Sequence, residues 1–175
     1  MNDFSVEYHP ARPVDADGVH RLLTAVAEEE GSMVEAPDEI SVEHIRTRIR
    51  HCISRRNQMF LIAVRDNHVI GMISLEAHPL RALQHIRYLS LVVEPRYRRR
   101  GIGRELLRQA LDWARETPDV EKIEVRVREA YTAAVDLARK HGFTEEGRLK
   151  HHIGLPNGRR LDDLEMALFV KPVKP

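Results

Sequence analysis

A chain of 175 residues, 42% hydrophobic and 31% charged, is long enough to bury a sizeable core and suits one domain. Its 28 basic residues stand against 27 acidic ones, so no global field draws it to nucleic acid or to an anionic membrane, and any electrostatic function must be local. A single cysteine, Cys52, excludes an internal disulfide and every multi-cysteine metal site; no apolar run approaches the ~20 residues of a membrane span, and the start "MNDFSVEYHPARP" lacks a secretory-signal pattern, so the expected location is cytoplasmic.

In chain order, "VEYHPARP" reads as a short strand. "DADGVHRLLTAVAEEEG" sets Val19, Leu22, Leu23, Val26 and Ala27 on one helical face, with Asp15 as its cap and Gly31 as its stop. "SVEHIRTRIRHCIS" repeats the period through Val42, Ile45, Ile49 and Cys52 behind Ser41, which makes a buried thiol the better reading of Cys52 than a nucleophile. Residues 59–64 and 69–75 form two apolar runs around Asp66-Asn67-His68, a hairpin. "HIRYLSLVVEP" is a strand whose apolar end suits a central place in a sheet.

The next helix buries Ile102, Leu106, Ala110, Leu111 and Ala114, with Trp113 packing. "KIEVRVRE" alternates as a strand, and "AYTAAVDLARKHGF" is a short helix with Ala134, Leu137 and Ala138 inward and Gly142 at its end. "RLKHHIGL" and "RLDDLEMALFV" flank Pro156-Asn157-Gly158 as a final hairpin. The expectation is an α/β (α+β) fold, a single domain over residues 1–175, with a mixed, mostly antiparallel central sheet of about six or seven strands flanked by about four helices.

Gly101 and Gly103 sit between a buried strand and a helix, so the first-turn amides there face outward without side chains over them. The helix dipole and the charges of Arg98, Arg99, Arg100 and Arg104 make this mouth an anion site that suits a pyrophosphate. A dinucleotide fingerprint would need a third glycine where Leu106 stands, and a nucleotide-triphosphate loop would need Gly-Lys-Ser/Thr, absent here. A merely solvated basic face has no use for two glycines that each cost a helix about 1 kcal/mol. Arg96 and Arg108 keep that solvated reading.

The spacing Arg98-x-x-Gly101-x-Gly103, with the strand "LSLVVEP" before it and the helix end "DLARKHGF" after it, resembles the Q/R-x-x-G-x-G/A signature of the GCN5-related N-acetyltransferase (GNAT) family, a likeness that extends over residues 8–170. Within that family "GFTEEGRLKHHIGLPNGRRLDDLEMAL" looks most like the branch that acetylates L-amino acids and analogues, of the phosphinothricin type, and also resembles some ribosomal-protein N-terminal acetyltransferases.

The resemblance implies that acetyl-CoA is the co-substrate. It implies that the backbone of Arg98, Arg99, Arg100, Gly101, Ile102, Gly103 and Arg104 wraps the pyrophosphate. It further implies a bulge at Leu91, Val92 and Val93 that splays this strand from residues 122–128, so that main-chain groups hold the pantetheine arm and the thioester oxygen. Tyr131 stands where many members carry an asparagine that touches that arm.

An alkylamine is mostly ammonium at pH 7 and needs a base or a water chain before it can attack. Where some relatives use a glutamate, this chain has Arg87, which cannot be a base. His85, of the residue type that changes charge in the physiological range, is the first candidate, and a polar strand start is its plainer reading. Glu76 is the second; Glu94 caps the loop. The tyrosine that often protonates the leaving thiolate is replaced by Ala138, leaving Tyr131 as the hydroxyl that could take its place. His141, His151 and His152 do not make a metal site, because adjacent strand residues face opposite ways. Asp162, Asp163 and Glu165 read as a solvated strand edge that could also attract an amine.

The expected function is transfer of an acetyl group from acetyl-CoA to a primary amine of a small molecule, an L-amino acid or analogue, through a ternary complex. Two alternatives stay open: an acetyltransferase for protein N-termini or lysines, and an acyl-CoA-binding module that has lost transfer. The expected partners are the small amine and neither nucleic acid nor membrane; homodimers are common among lookalikes. Loops 30–39 and 78–84 are expected to build the acceptor pocket.

Overall fold

The computed structural model describes residues 4–172. Their backbone forms, in order, β1 (Glu7–Pro10), α1 (Ala16–Ala27), α2 (Val42–Ser54), β2 (Met59–Arg65), β3 (His68–Ala77), β4 (Ile86–Val93), α3 (Ile102–Glu116), β5 (Lys122–Arg128), α4 (Thr132–Lys140), β6 (Thr144–Gly154) and β7 (Arg160–Phe169). The seven strands make one sheet in the order β1-β2-β3-β4-β5-β7-β6, with every neighbouring pair antiparallel except β4 and β5. This is the expected class, a mixed and mostly antiparallel sheet with four helices in one domain.

Strand alternation divides the apolar side chains between two cores. Leu61, Ala63, Ile73, Leu75, Ile123, Val127, Leu164 and Met166 face α3 and α4, whereas Phe60, Ile62 and Met72 face α1 and α2. Ile102, Leu106, Ala110, Leu111 and Ala114, the predicted inner face of α3, are all at most 2% exposed. Gly71 on β3 lets α3 lie this close, since an added Cβ would come within 3.2 Å of both Ile102 and Leu106. The β2–β3 turn is made by Asp66 and Asn67 alone, both with positive φ, the geometry that matches strand twist in a two-residue hairpin. His68 belongs to the strand.

Several local expectations are corrected. Asp15 does not cap α1 with its side chain, because its carboxylate accepts from the Arg12 amide at 2.7 Å and from the Arg12 guanidinium. The helix also stops at Ala27, four residues before Gly31. In α4 Val135 and Ala138 are buried and Leu137 packs half-buried against the core, as expected of the last two, whereas Ala134 is exposed. Gly142, at φ +90°, ends that helix as expected, its amide bonding Arg139 O.

The last hairpin closes through residues 155–159 and not through a two-residue Asn-Gly turn, with the Leu155 amide bonding Arg159 O. A bulge between Leu149 and Ile153 breaks the alternation of β6 and puts His151 at φ +53°. Alternation therefore does not govern His151 and His152. Among the described residues no group of histidine, cysteine and acidic side chains could hold a metal, and no helix is long and apolar enough to cross a membrane.

Candidate functional site

β4 and β5 are paired over only three positions, from Ile86 opposite Lys122 to Tyr88 opposite Glu124. Past these the two strands part while each keeps its other neighbour, β4 on β3 as far as Val93 and β5 on β7 as far as Arg128. The result is a wedge, open toward the strand C-termini. The bulge expected in β4 is not there: its register on β3 runs unbroken from Ala77 opposite Arg87 to Gly71 opposite Val93. Divergence from β5 alone opens the gap.

The Glu94 amide bonds Ile70 O across to β3, so by alternation Val92 also turns its main chain to β3, and Leu91 and Val93 turn theirs to the gap. Val92 packs its side chain with the α1–α2 core, so of the three strand residues expected at the co-substrate only Leu91 and Val93 face the wedge. Beside it lies a cavity of about 440 Å³ lined by Tyr88, Leu89, Glu124, Val125, Arg126 and Glu165 among others.

At the open end of the wedge the chain enters α3. Arg99 has φ +63° and Gly101, the N-cap, φ +84°, a left-handed pair that turns successive amides the same way. The first backbone bond of the helix is donated by Glu105 to Gly101 O. The amides of Arg99, Arg100, Gly101, Ile102, Gly103 and Arg104 come before it and have no backbone acceptor among the described residues. Gly103 faces the wedge wall, where an added Cβ would lie 3.6 Å from Val93 and 3.9 Å from Leu91.

The arginines divide in role. Arg98 is already engaged: its Nε donates to Val93 O at 3.0 Å, and its two terminal nitrogens bond the Glu29 carboxylate at 3.1 and 2.6 Å. It fastens the loop to the end of α1, leaving the anion to the backbone. Arg99, Arg100 and Arg104 are exposed around the mouth, Arg100 lying 4.7 Å from the Phe4 ring. Arg96 pairs with Glu94, and Arg108 with Glu105 and Asp112, so the basic run is largely neutralised outside the mouth.

Of the predicted proton carriers, the structure brings one to the open end. Tyr131 is the N-cap of α4, and its hydroxyl donates to Glu30 O at 3.2 Å. Burial pushes its phenol up, Glu29 and Glu30 adding to this against Arg98 and Arg128, so it stays a proton donor. His85 sits in the exposed turn before β4, and its carbonyl accepts from Glu121 and Lys122 at the paired end of the strands. At ~3.3 Å per residue it is roughly 20 Å along the strand from Leu91, away from the wedge.

Glu76 is on the right face, on β3 opposite Tyr88 of β4, but it is bound to α2: its carboxylate accepts from Arg48 at 2.5 Å and from Ser74 at 2.8 Å. Burial pushes the Glu76 carboxyl up, yet the hydrogen bond and charge of Arg48, with Ser74 and His44, outweigh it and hold the group below its ordinary value. That makes Glu76 a weak base and a stabilising ion. A carboxyl depressed on folding stabilises above its unfolded value near 4.5, and this is lost as pH falls through the lower folded value. Glu76→Gln should therefore lower the melting temperature at pH 7, by the equivalent of roughly 1.5 kcal/mol for a charged hydrogen-bonded pair. The gap from wild type should narrow as pH falls below 4.5; a gap that stays constant down to the acid limit of folding would contradict this role.

Arg87, in the position of the absent glutamate, is fully buried on the α3 side, its guanidinium bonding the carbonyls of Asn57, Gln84 and Ile86. It ties three segments together. Ala138 is buried and offers no hydroxyl. Burial pushes the Cys52 thiol up to about 12, Glu76 adding to it against Arg48, which removes it as a nucleophile.

Sequence reasoning missed one cluster. Asp163 is not a solvated edge: it is 0% exposed, with Arg128 Nη1 at 2.5 Å on one oxygen and His152 Nδ1 at 2.8 Å on the other. Arg128 also donates to Gly31 O, and Asn157 to the Glu30 carboxylate, so the loop after α1 is pinned to the same place. Of the two loops expected around the acceptor, one is thus held at the open end, while His78 of the other lies 5.7 Å from Tyr88. The cavity itself is walled by residues of β4, β5, β6 and β7 and by neither loop.

Residues 19–143 match the model of the acetyltransferase (GNAT) family. The chain is 27% identical over 107 residues, 61% of its length, to the L-amino acid N-acetyltransferase AaaT of Escherichia coli, and spans 65% of that relative. Among solved structures it resembles an acetyltransferase of the GNAT family from Streptococcus pneumoniae, with a TM-score of 0.88, 26% identity and coverage of 94% and 99% of the two chains. Its fold also matches yncA of Salmonella typhimurium, a structure with acetyl-CoA, with a TM-score of 0.86 at 17% identity over 98% and 97% of the chains.

Proposed function

This chain belongs to the acetyltransferase (GNAT) family, and from that premise we propose that it transfers the acetyl group of acetyl-CoA to the primary amine of a small molecule, an L-amino acid or analogue. The observation that carries the reading is the wedge between β4 and β5 opening onto the amide-lined mouth of α3. The mouth takes the pyrophosphate, because unpaired amides and a helix dipole both favour a polyanion. The pantetheine arm then lies along the gap, where the main chain of Leu91 and the amide of Val93, whose carbonyl is held by Arg98, supply the pairing that β5 withholds. An amide of β4 aimed into the gap stabilises the oxyanion that forms on the thioester carbonyl.

The acceptor enters from the face that α1 and α2 leave open. A cavity of about 440 Å³ suits a small molecule. Its walls carry Glu124, Glu146 and Glu165 against Arg126, and with Lys122 bridging Glu124 and Glu146 the group keeps one net negative charge, which favours an ammonium group. The likeness to an L-amino acid N-acetyltransferase points the same way.

The test is release of free thiol from acetyl-CoA with purified protein and a panel of L-amino acids, spermidine, and peptides with free N-termini. Turnover that needs both acetyl-CoA and an L-amino acid is the expected result. Turnover with peptides alone would move the assignment to protein N-termini. Tight acetyl-CoA binding without thiol release from any acceptor would make the chain a binding module, a result Ala138 leaves room for.

A further inference from the structure

With His85 outside the wedge and Glu76 bound to Arg48, the acetyltransferase reading lacks a group to take the acceptor's proton. The bulge in β6 supplies one. It carries two extra residues between Leu149 and Ile153 against β7, and bulges beside functional sites commonly re-aim a side chain. Here the bulge lays His152 over Asp163, with Nδ1 2.8 Å from a carboxylate oxygen that has no exposure to solvent. The other oxygen is fixed by Arg128, so the carboxylate cannot rotate away. A buried anion accepting at Nδ1 sets the tautomer: the proton is on Nδ1 and the lone pair on Nε2. The imidazole itself is 34% exposed, so Nε2 is reachable.

The location fits. Asp163 is opposite Arg128, the last residue of β5, on the sheet face that α1 and α2 leave open, and the wedge runs along the other edge of β5. His152 leans from β6 over β7 to Asp163, and β5, one strand's width or about 5 Å further on, is the strand that stands between that pair and the wedge. The charged groups around the pair are Asp162 and Asp163 from β7, Arg128 from β5, Glu29 and Glu30 on the loop after α1, and Lys150 and His151 on its own strand.

We propose that His152, oriented by Asp163, is the general base of the transfer. The inference rests on the acetyltransferase reading. The N–H bond of the acceptor ammonium breaks, its proton passing to Nε2 and its electron pair staying on nitrogen. That pair forms the C–N bond to the thioester carbon, and the C–S bond breaks with its pair leaving on sulfur. The proton still in excess on nitrogen goes to the thiolate, giving amide and thiol, and the imidazolium returns its proton to water.

The experiment is His152→Asn, whose amide approximates Nδ1–H and keeps the bond to Asp163 while removing Nε2. Acetyl-CoA affinity should be unchanged. Turnover of the L-amino acid that wild type uses best should fall about 10²-fold or more at pH 7, the usual range for a lost base. The deficit should shrink as pH rises toward 10, where water deprotonates the amine unaided. Turnover equal to wild type at pH 7, or a deficit that does not change with pH, overturns the inference and leaves the acetyltransferase reading standing. Wild type that binds acetyl-CoA but acetylates no amine of the panel overturns both.

Discussion

Gly101→Asp should give a folded protein whose affinity for acetyl-CoA is reduced at least 100-fold, or about 2.7 kcal/mol. Space is not the obstacle, since an added Cβ would meet only the end of Arg104 at 3.8 Å. The obstacles are φ +84°, which costs a side-chain-bearing residue about 1–2 kcal/mol, and a carboxylate set among amides that are otherwise free for a diphosphate. Gly103→Asp should fail for a related reason, its carboxylate being driven against Leu91, Val93 and Leu137. Gly103→Ala is the control. Its methyl group would make ordinary contacts of 3.6 to 3.9 Å, so binding close to wild type is expected. Calorimetric titration of the three variants checks the argument, and unchanged affinity in both aspartate variants would contradict it.

Removing Asp163 should produce the largest loss of stability. Asp163→Ala leaves Arg128, itself 9% exposed, without its counter-ion, and breaking one side of a buried pair costs about 3–5 kcal/mol. For a chain of this size that is a fall on the order of 10 °C in melting temperature. The double variant Arg128→Met with Asp163→Leu should recover much of the loss, because neither charge is then stranded. Thermal unfolding of the single and double variants decides the point. A double variant no more stable than Asp163→Ala would show that the pair acts through something other than charge compensation.

What could be read from the chain was what lies close together in it. The anion mouth occupies six consecutive residues with their helix, so the spacing of Gly101 and Gly103 carried it directly, as the apolar period carried the inner face of α3. The β2–β3 turn was legible because Asp66 and Asn67 tolerate positive φ.

Apart from Tyr131, the proton carriers were not legible, since their positions depend on strand pairing. Whether the start of β4 is the open or the closed end of the wedge is decided by three residues of contact with β5, and that placed His85 at the wrong end. Val92 faced the wrong way for the same reason. Asp163 meets an arginine 35 residues away and a histidine set by a bulge, and no local pattern announces either. Polar residues alternating with Leu164 and Met166 look like a wet edge until the loop after α1 is known to cover them.

The account depends on a diphosphate being held by the amides between Arg99 and Arg104. Titration of folded wild-type protein with acetyl-CoA, with ADP added as a competitor carrying the pyrophosphate without the thioester arm, tests this most directly. One acetyl-CoA per chain, displaced by ADP, is the predicted result; no heat with acetyl-CoA or with CoA would contradict it.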